Sequence, residues 1–424
     1  MLNPDSLAAT AAARFGPGFV RPLYEGYGFA TLPATIERLL TGQGAAGLPD
    51  AALGGLPSHH ETVVLVLIDA FGWRFFESYA NQHPFVQRLM QQGVVSRLTT
   101  MFPSTTAAHM TTLHTGLTPG ASGVFEWFFY EPQCQRVIAP LLFSFAGDRQ
   151  RETLAAAGVA PATILPTTTI YQRLAAQGIA STVYQHSSYA QSSFSTTVCA
   201  GAKLIPFRTL AEALVIMQLR LHKKRGPHYH VLYLDTADAL AHSYSPEAPH
   251  VAAEFDTLLT TLERWLHPTL TKLGRPVLLM FTADHGQIAV RPAKTHLLNR
   301  LVPSLEAATP RGSDGLPIAP SGSVRDLFLY VDDARRSELI TELRNILADK
   351  AEVYPTEELI NAGFFGPSVG PAFLSRVGNI VVLAHPNSSV WWADERFPLK
   401  FKGGHGGLSE AEALTQVALL SYGM

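Results

Sequence analysis

The chain has 424 residues, 47% of them hydrophobic and 16% charged, with a formal net charge of −2. That length leaves room for roughly two or three units of about 150 residues, or for one α/β core carrying insertions. The near-neutral balance excludes a global basic field that would draw polymeric nucleic acid or an anionic membrane.

The N-terminus, MLNPDSLAATAAARFGPGF, lacks the basic start and apolar stretch of a secretory signal. The apolar runs fall well short of the ~20 residues a membrane helix needs, so a soluble cytoplasmic protein is expected. Two cysteines, Cys134 and Cys199, read as free thiols rather than a disulfide framework.

The first strong signal is TVVLVLI at 62–68, a β-branched run of strand length that predicts a strand buried on both faces. Asp69 closes it. A carboxylate at the carboxyl end of a strand in a parallel sheet points into the ligand crevice, although Asp there also serves as a helix N-cap. His59 and His60, just before the run, read as loop. A helical pattern follows at 84–92. Then comes FPSTTAAHMTTLHTG, in which Pro103 and Ser104 break the chain and a helix begins at Thr106. A threonine there has its hydroxyl beside free backbone N–H groups, which suits an anion and equally suits a plain N-cap. His109 and His114 lie on that helix and read as packing residues.

Residues 127–195 are rich in Ser, Thr, Gln and aromatics and read as an insertion that could cover the site. Trp127 and Phe128 could stack on a planar group or simply pack. His186 could line a pocket. Helical patterns at 168–177, 209–223 and 251–267 flank a second apolar run at 230–234. After that run, Asp238 and His242 sit four apart, on one face of a helical turn, able to share a metal or to form an ordinary solvated pair. Asp235 competes for the strand-end position. A third run, 276–281, leads to Asp284–His285–Gly286, two adjacent side chains suited to Zn²⁺.

A second insertion is expected at 307–392, with its own strand, a helix over 333–350 and the apolar run 379–384. Finally, His405 sits in KGGHGG, where glycines let the backbone approach a ligand closely. Strands alternating with helices predict a three-layer α/β/α fold around a mostly parallel sheet, in one catalytic domain over 1–424 with inserted cap segments.

In order and spacing, the blocks VLIDAFGW, FPSTTAAHMTTLHTGLTPGASGV, DTADALAHSYSP, TADHG and GGHGG resemble the alkaline phosphatase superfamily. The similarity is to its type I phosphodiesterase/nucleotide pyrophosphatase branch. The resemblance implies that Thr106, ten positions before Gly116, is the nucleophile. It implies one metal on Asp238, His242 and His405, and a second on Asp69, Asp284, His285 and the Thr106 oxygen. Zinc is the expected ion, with manganese as the alternative. Attack by Thr106 would give a phospho-threonine that water then hydrolyses. The expected partner is a small phosphorylated, nucleotide-like substrate, with no polymeric nucleic acid and no membrane.

The pattern departs from the branch at Trp127, where relatives often carry an Asn that helps bind a phosphate oxygen. No basic residue lies close in sequence to Thr106, which favours diesters, while Lys402 or Lys294 folding back would suit a monoester. A phosphomonoesterase and a non-catalytic binder of phospho-compounds are the competing readings. The C/S-x-P-x-R stretch of sulfatases does not occur at the nucleophile.

Overall fold

The computed structural model describes residues 1–223 and 226–423. In chain order the strands that matter here are β1 (Thr62–Ile68), β2 (Val94–Thr99), β3 (Ala180–His186), β4 (Lys203–Phe207), β5 (His228–Leu234) and β6 (Val277–Thr282), then β7 (Asp326–Leu329), β8 (Ala351–Pro355), β9 (Ile380–Ala384) and β10 (Leu414–Tyr422). The main helices are α1 (Leu32–Thr41), α2 (Pro84–Gln92), α3 (Thr106–Thr115), α4 (Ile170–Ala176), α5 (Leu210–Lys223), α6 (Thr236–Tyr244), α7 (Pro249–Thr261) and α8 (Asp333–Leu347).

Seven strands form the main sheet in the order β2-β10-β6-β1-β5-β3-β4. All contacts from β6 to β4 are parallel, and β10 runs antiparallel between β6 and β2. Every residue of β1, β5 and β6 is buried. The reason is visible in the alternation of β1. Val63, Leu65 and Leu67 pack with Leu32, Ile36, Met110 and Leu174 from α1, α3 and α4. Val64, Val66 and Ile68 pack on the other face with Phe85, Met217, Phe255 and Leu259 from α2, α5 and α7. Covering both faces with helices is what a parallel sheet requires, and it yields the three-layer α/β/α architecture.

A second, antiparallel sheet runs Ser321–Gly322, β7, β9, β8. The run at 379–384 therefore belongs to this smaller sheet. Its continuous hydrophobicity has a simple cause. Ile380 and Val382 face Leu339, Leu343 and Leu347 of α8. Val381 and Leu383 face the main core. Burial on both faces looks alike in sequence whether the pairing is parallel or antiparallel. Residues 127–195 are also of two kinds. Phe129–Glu131, Arg136–Ala139 and Ser144–Phe145 form a separate antiparallel sheet, whereas β3 belongs to the main one. No helix among the described residues is long and apolar enough to cross a membrane.

Candidate active site

The strands β6, β1 and β5 are neighbours, and their carboxyl ends deliver Asp284–His285, Asp69 and the start of α6 to one place. The α6 turn carries Asp238 and His242. The strand Gly403–Gly404, paired with Ile288–Ala289, brings His405 to the same point. A Cβ at Gly403 would lie 2.4 Å from the Ala241 carbonyl oxygen, so only glycine lets this strand approach α6. Gly406 has φ +115°, a backbone conformation that disfavours other residues.

Thr106 is the first residue of α3 and is 5% exposed. Its Oγ1 lies 3.1 Å from His285 Nε2 and 3.4 Å from Asp69 Oδ2. Thr105, at the N-cap, makes no capping hydrogen bond, so no side chain closes off the first-turn N–H groups. His109 holds this turn: its Nδ1 donates to the Thr105 carbonyl at 2.8 Å and its Nε2 accepts from Met101 N–H at 2.9 Å.

The three site histidines share one arrangement. Nδ1 donates to a backbone carbonyl in each: Gly286 for His285 (3.0 Å), Gly403 for His242 (2.9 Å) and Ser104 for His405 (2.9 Å). That leaves each Nε2 lone pair pointing inward. The Nε2 atoms of His242 and His405 are 3.2 Å apart. Burial, together with the facing His242, holds His405 down to about 3, so its ring is neutral. Two Nε2 atoms facing each other at that distance, each on a ring whose Nδ1 is committed to a carbonyl, fit a shared cation.

The carboxylates tell the same story. Asp69 Oδ1 and Asp284 Oδ2 are buried with no hydrogen-bond partner. They lie 3.6 and 3.4 Å from His285 Nε2. Burial, with Asp284 as the nearest like charge, pushes Asp69 well above the usual carboxylate range. Asp284 is pushed up to about 7, chiefly by burial and against the N–H bond from Ala70. Such orphaned, crowded oxygens are costly unless a metal satisfies them. Asp238, His242 and His405 offer ligand atoms within 4.8 Å of one another, and so do Asp69, Asp238 and His285. Asp238 thus lies within reach of both groups.

The structure brings Thr106, Asp69, Asp238, His242, Asp284, His285 and His405 together. Trp127 and Phe128 line the adjoining cavity, of about 370 Å³. Lys402 does not line it. Its backbone is tied to His242 and Val290 by main-chain hydrogen bonds and its side chain is exposed to solvent. Lys294 is also absent from the lining, and His186 faces a separate pocket with Phe207 and Arg208. Asp235 lines the cavity but belongs to neither ligand group.

Sequence reasoning missed three supports. Tyr233 donates its hydroxyl to Asp69 Oδ2. Gln287 Nε2 donates to Asp238 Oδ1 at 2.8 Å. The buried pair Arg325–Glu412 ties β7 to the loop of His405, since Glu412 Oε1 also accepts from Gly407 N–H at 3.2 Å. Gln287 sits three residues beyond Asp284 and could have been found by extending that motif. Glu412 left no local sign.

A family model described as type I phosphodiesterase/nucleotide pyrophosphatase matches residues 63–407. The chain belongs to that family. It is thereby a member of the alkaline phosphatase superfamily, and the activity class is phosphoester hydrolysis. No curated protein sequence matches it significantly. Among solved structures, the fold is similar to murine ectonucleotide pyrophosphatase/phosphodiesterase 5, in an inactive form in complex with AMP, at 17% identity and a TM-score of 0.63, covering 86% of this chain and 88% of the other. The human protein of the same name gives 17% identity and a TM-score of 0.61, over 85% and 87%. Phosphonoacetate hydrolase from Sinorhizobium meliloti 1021, in complex with phosphonoacetate, gives 17% and 0.59, over 84% and 89%.

Proposed function

We propose that this chain is a two-metal phosphodiesterase that acts on a small, nucleotide-like phosphate ester through a phospho-threonine at Thr106. The observation that carries the reading is the pairing of an uncapped helix N-terminus at Thr106 with two clusters of ligand atoms that meet at Asp238, in one of which Asp69 Oδ1, beside the Asp284 Oδ2 atom, is buried and, like it, without a hydrogen-bond partner. Asp238, His242 and His405 would hold one ion, and Asp69, Asp284, His285 and Thr106 Oγ1 the other. When bound, divalent ions such as Zn²⁺ or Mn²⁺ supply Lewis acidity toward the phosphoryl oxygens and the attacking oxygen.

The residues do the rest. Thr106 Oγ1 bonds to phosphorus as the bond to the leaving alcohol breaks, and Asp69 Oδ2 is an acceptor within reach of the hydroxyl proton. The first-turn N–H groups of α3 face the phosphoryl oxygens and favour their charge. Water then cleaves the phospho-threonine and restores the hydroxyl.

Charge favours the diester. Arg151 is the one Lys or Arg side chain among the described residues lining the cavity, and it is exposed. The test is hydrolysis of bis-p-nitrophenyl phosphate beside p-nitrophenyl phosphate, with Zn²⁺ or Mn²⁺ and an EDTA control. Metal-dependent preference for the diester is expected. Preference for the monoester would overturn the diesterase reading.

A further inference from the structure

Two fully buried carboxyl groups near the cavity belong to neither ligand group: Glu126 and Asp326. Glu126 lines the cavity together with Thr106, whereas Asp326, the first residue of β7, does not. The two converge on Gly406. A Cβ on that glycine would lie 2.3 Å from Asp326 Oδ1 and 3.1 Å from Glu126 Oε1. The Gly406 carbonyl accepts from Ser104 N–H at 3.1 Å, and Gly406 N–H donates to Ser104 Oγ at 3.1 Å. Ser104 lies two residues before Thr106, and His405 immediately precedes Gly406. Glu126 Oε1 is therefore set beside the paired backbone that carries both Thr106 and His405.

Each carboxyl has one oxygen engaged and one not. Glu126 Oε2 accepts from Trp127 N–H, and Asp326 Oδ1 accepts from Ser323 Oγ at 2.6 Å. Glu126 Oε1 and Asp326 Oδ2 are buried without a hydrogen-bond partner. The neighbouring Arg325 guanidinium is taken up by Glu412 and by the carbonyls of Ala384, His385 and Ser388. Two buried carboxylates with no cation of their own do not both stay ionised, so the pair keeps a proton. Burial, with Asp326 as the nearest like charge, accordingly pushes Glu126 well above the usual carboxylate range. Burial, against the Ser323 hydrogen bond, pushes Asp326 up to about 7. Because Glu126 Oε2 already accepts a hydrogen bond, the proton belongs on Oε1.

We propose that Glu126 works as a neutral carboxylic acid that donates a hydrogen bond from Oε1 to a non-bridging oxygen of the substrate phosphoryl group, and that Asp326 holds it in that form. The proposal rests on the phosphodiesterase reading and adds a catalytic residue to it. A carboxylate at this place would repel the phosphoryl oxygens, whereas the protonated group turns the same oxygen into a donor and adds no charge. The cavity calls for such donors, since exposed Arg151 is its one Lys or Arg side chain among the described residues. A donor fixed in advance acts most where charge grows as Thr106 attacks. Asp326 acts through Glu126: a carboxylate beside it makes loss of the Glu126 proton more costly.

The test uses the metal-loaded full chain with bis-p-nitrophenyl phosphate and p-nitrophenyl phosphate. Glu126→Ala should lower kcat/KM on the order of 10²-fold, the worth of one donor to a developing oxyanion. Glu126→Gln keeps an N–H donor that cannot ionise and should recover about tenfold or more of that loss. Asp326→Asn offers Glu126 a donor in place of a like charge, which favours the carboxylate, and should lower kcat/KM about tenfold. A readout independent of turnover is the carbonyl stretching band of a buried protonated carboxyl, taken as the infrared difference between wild type and Glu126→Gln at neutral pH. The band is expected, and its absence overturns the protonated Glu126. It needs only the isosteric variant, so it decides even where Glu126→Ala does not fold. Glu126→Ala within about threefold of wild type, or Glu126→Gln no better than Glu126→Ala, overturns the donor role and leaves the phosphodiesterase reading intact. Asp326→Asn at full activity overturns the pairing. A third metal ion per chain that disappears in Glu126→Gln would give the two carboxyls to a cation and overturn the proposal as well. If neither ester is turned over, the phosphodiesterase reading fails by itself. Glu126 is then judged by the infrared band and by calorimetry of inorganic phosphate, which must bind about tenfold more weakly to Glu126→Ala.

Discussion

Thr106 and Gln287 separate two roles that one side chain can play at this site. The Thr106 hydroxyl is poised at His285 and Asp69, yet it contributes only one of the ligand atoms gathered there. Thr106→Ala should therefore keep most of the bound metal, measured by elemental analysis, while turnover falls on the order of 10³-fold or more. Surviving turnover would move the nucleophile elsewhere. Gln287 does not line the cavity. It fixes one oxygen of Asp238, the carboxylate shared by both ligand groups. Gln287→Ala should weaken metal binding by about 10–100-fold in a chelator competition, as losses of such supporting bonds do. An unchanged titration would mean that α6 alone orients Asp238.

At the scale of elements, α3 is buried along its whole length, including both histidines. Burial drives His109 down to about 4 and His114 to about 3. The unfolded chain would bind these protons near pH 6.5. Both folded values are depressed, so their contribution to stability is complete above pH 6.5 and is lost as pH falls through the window toward 4 and 3. Each neutral histidine should steepen the acid loss by roughly 1.4 kcal/mol per pH unit. His114 bonds through Nδ1 to the Tyr171 hydroxyl and its Nε2 is buried without a hydrogen-bond partner, so His114→Phe isolates one group. Urea unfolding between pH 6.5 and 4.5 should show a shallower pH slope in the variant. Equal slopes would show that His114 is already solvated or protonated in the fold. The expectation that these histidines pack is thus met, and His109 does more, since its ring joins the Met101 loop to the turn that presents Thr106.

For the whole molecule, the site stores like charge at the centre of the main sheet. Asp69, Asp238 and Asp284 all lie above the usual carboxylate range because they are buried together. Metal binding needs them deprotonated, so protons compete with the ions below about pH 7. Without metal, the raised values mean that stability from these groups falls as pH rises from their unfolded values toward 7. The gap in Tm between metal-loaded and EDTA-treated protein should therefore widen as pH rises from about 5.5 to 7.5. A gap that is constant or narrows over that range would show that the carboxylates do not hold the ion.

The sequence by itself determined the local parts. Apolar runs of strand length marked β1, β5 and β6, and the Asp and His residues at their carboxyl ends were legible because parallel sheets put ligands there. The resemblance of the spaced blocks supplied the family. Tertiary structure alone decided the partners. β10, with polar Thr415 and Gln416 near its start, enters the sheet antiparallel between β6 and β2, a pairing that no local pattern encodes. The antiparallel pairing of the 379–384 run within the second insertion was set the same way. Likewise, Asp238 became common to both ligand groups, Lys402 turned outward, and Glu412 joined Arg325 from 87 residues away. Periodicity reports how much of a residue is buried and on which faces. Which distant residue it meets there is set by packing and strand order, and those exist only once the chain has folded.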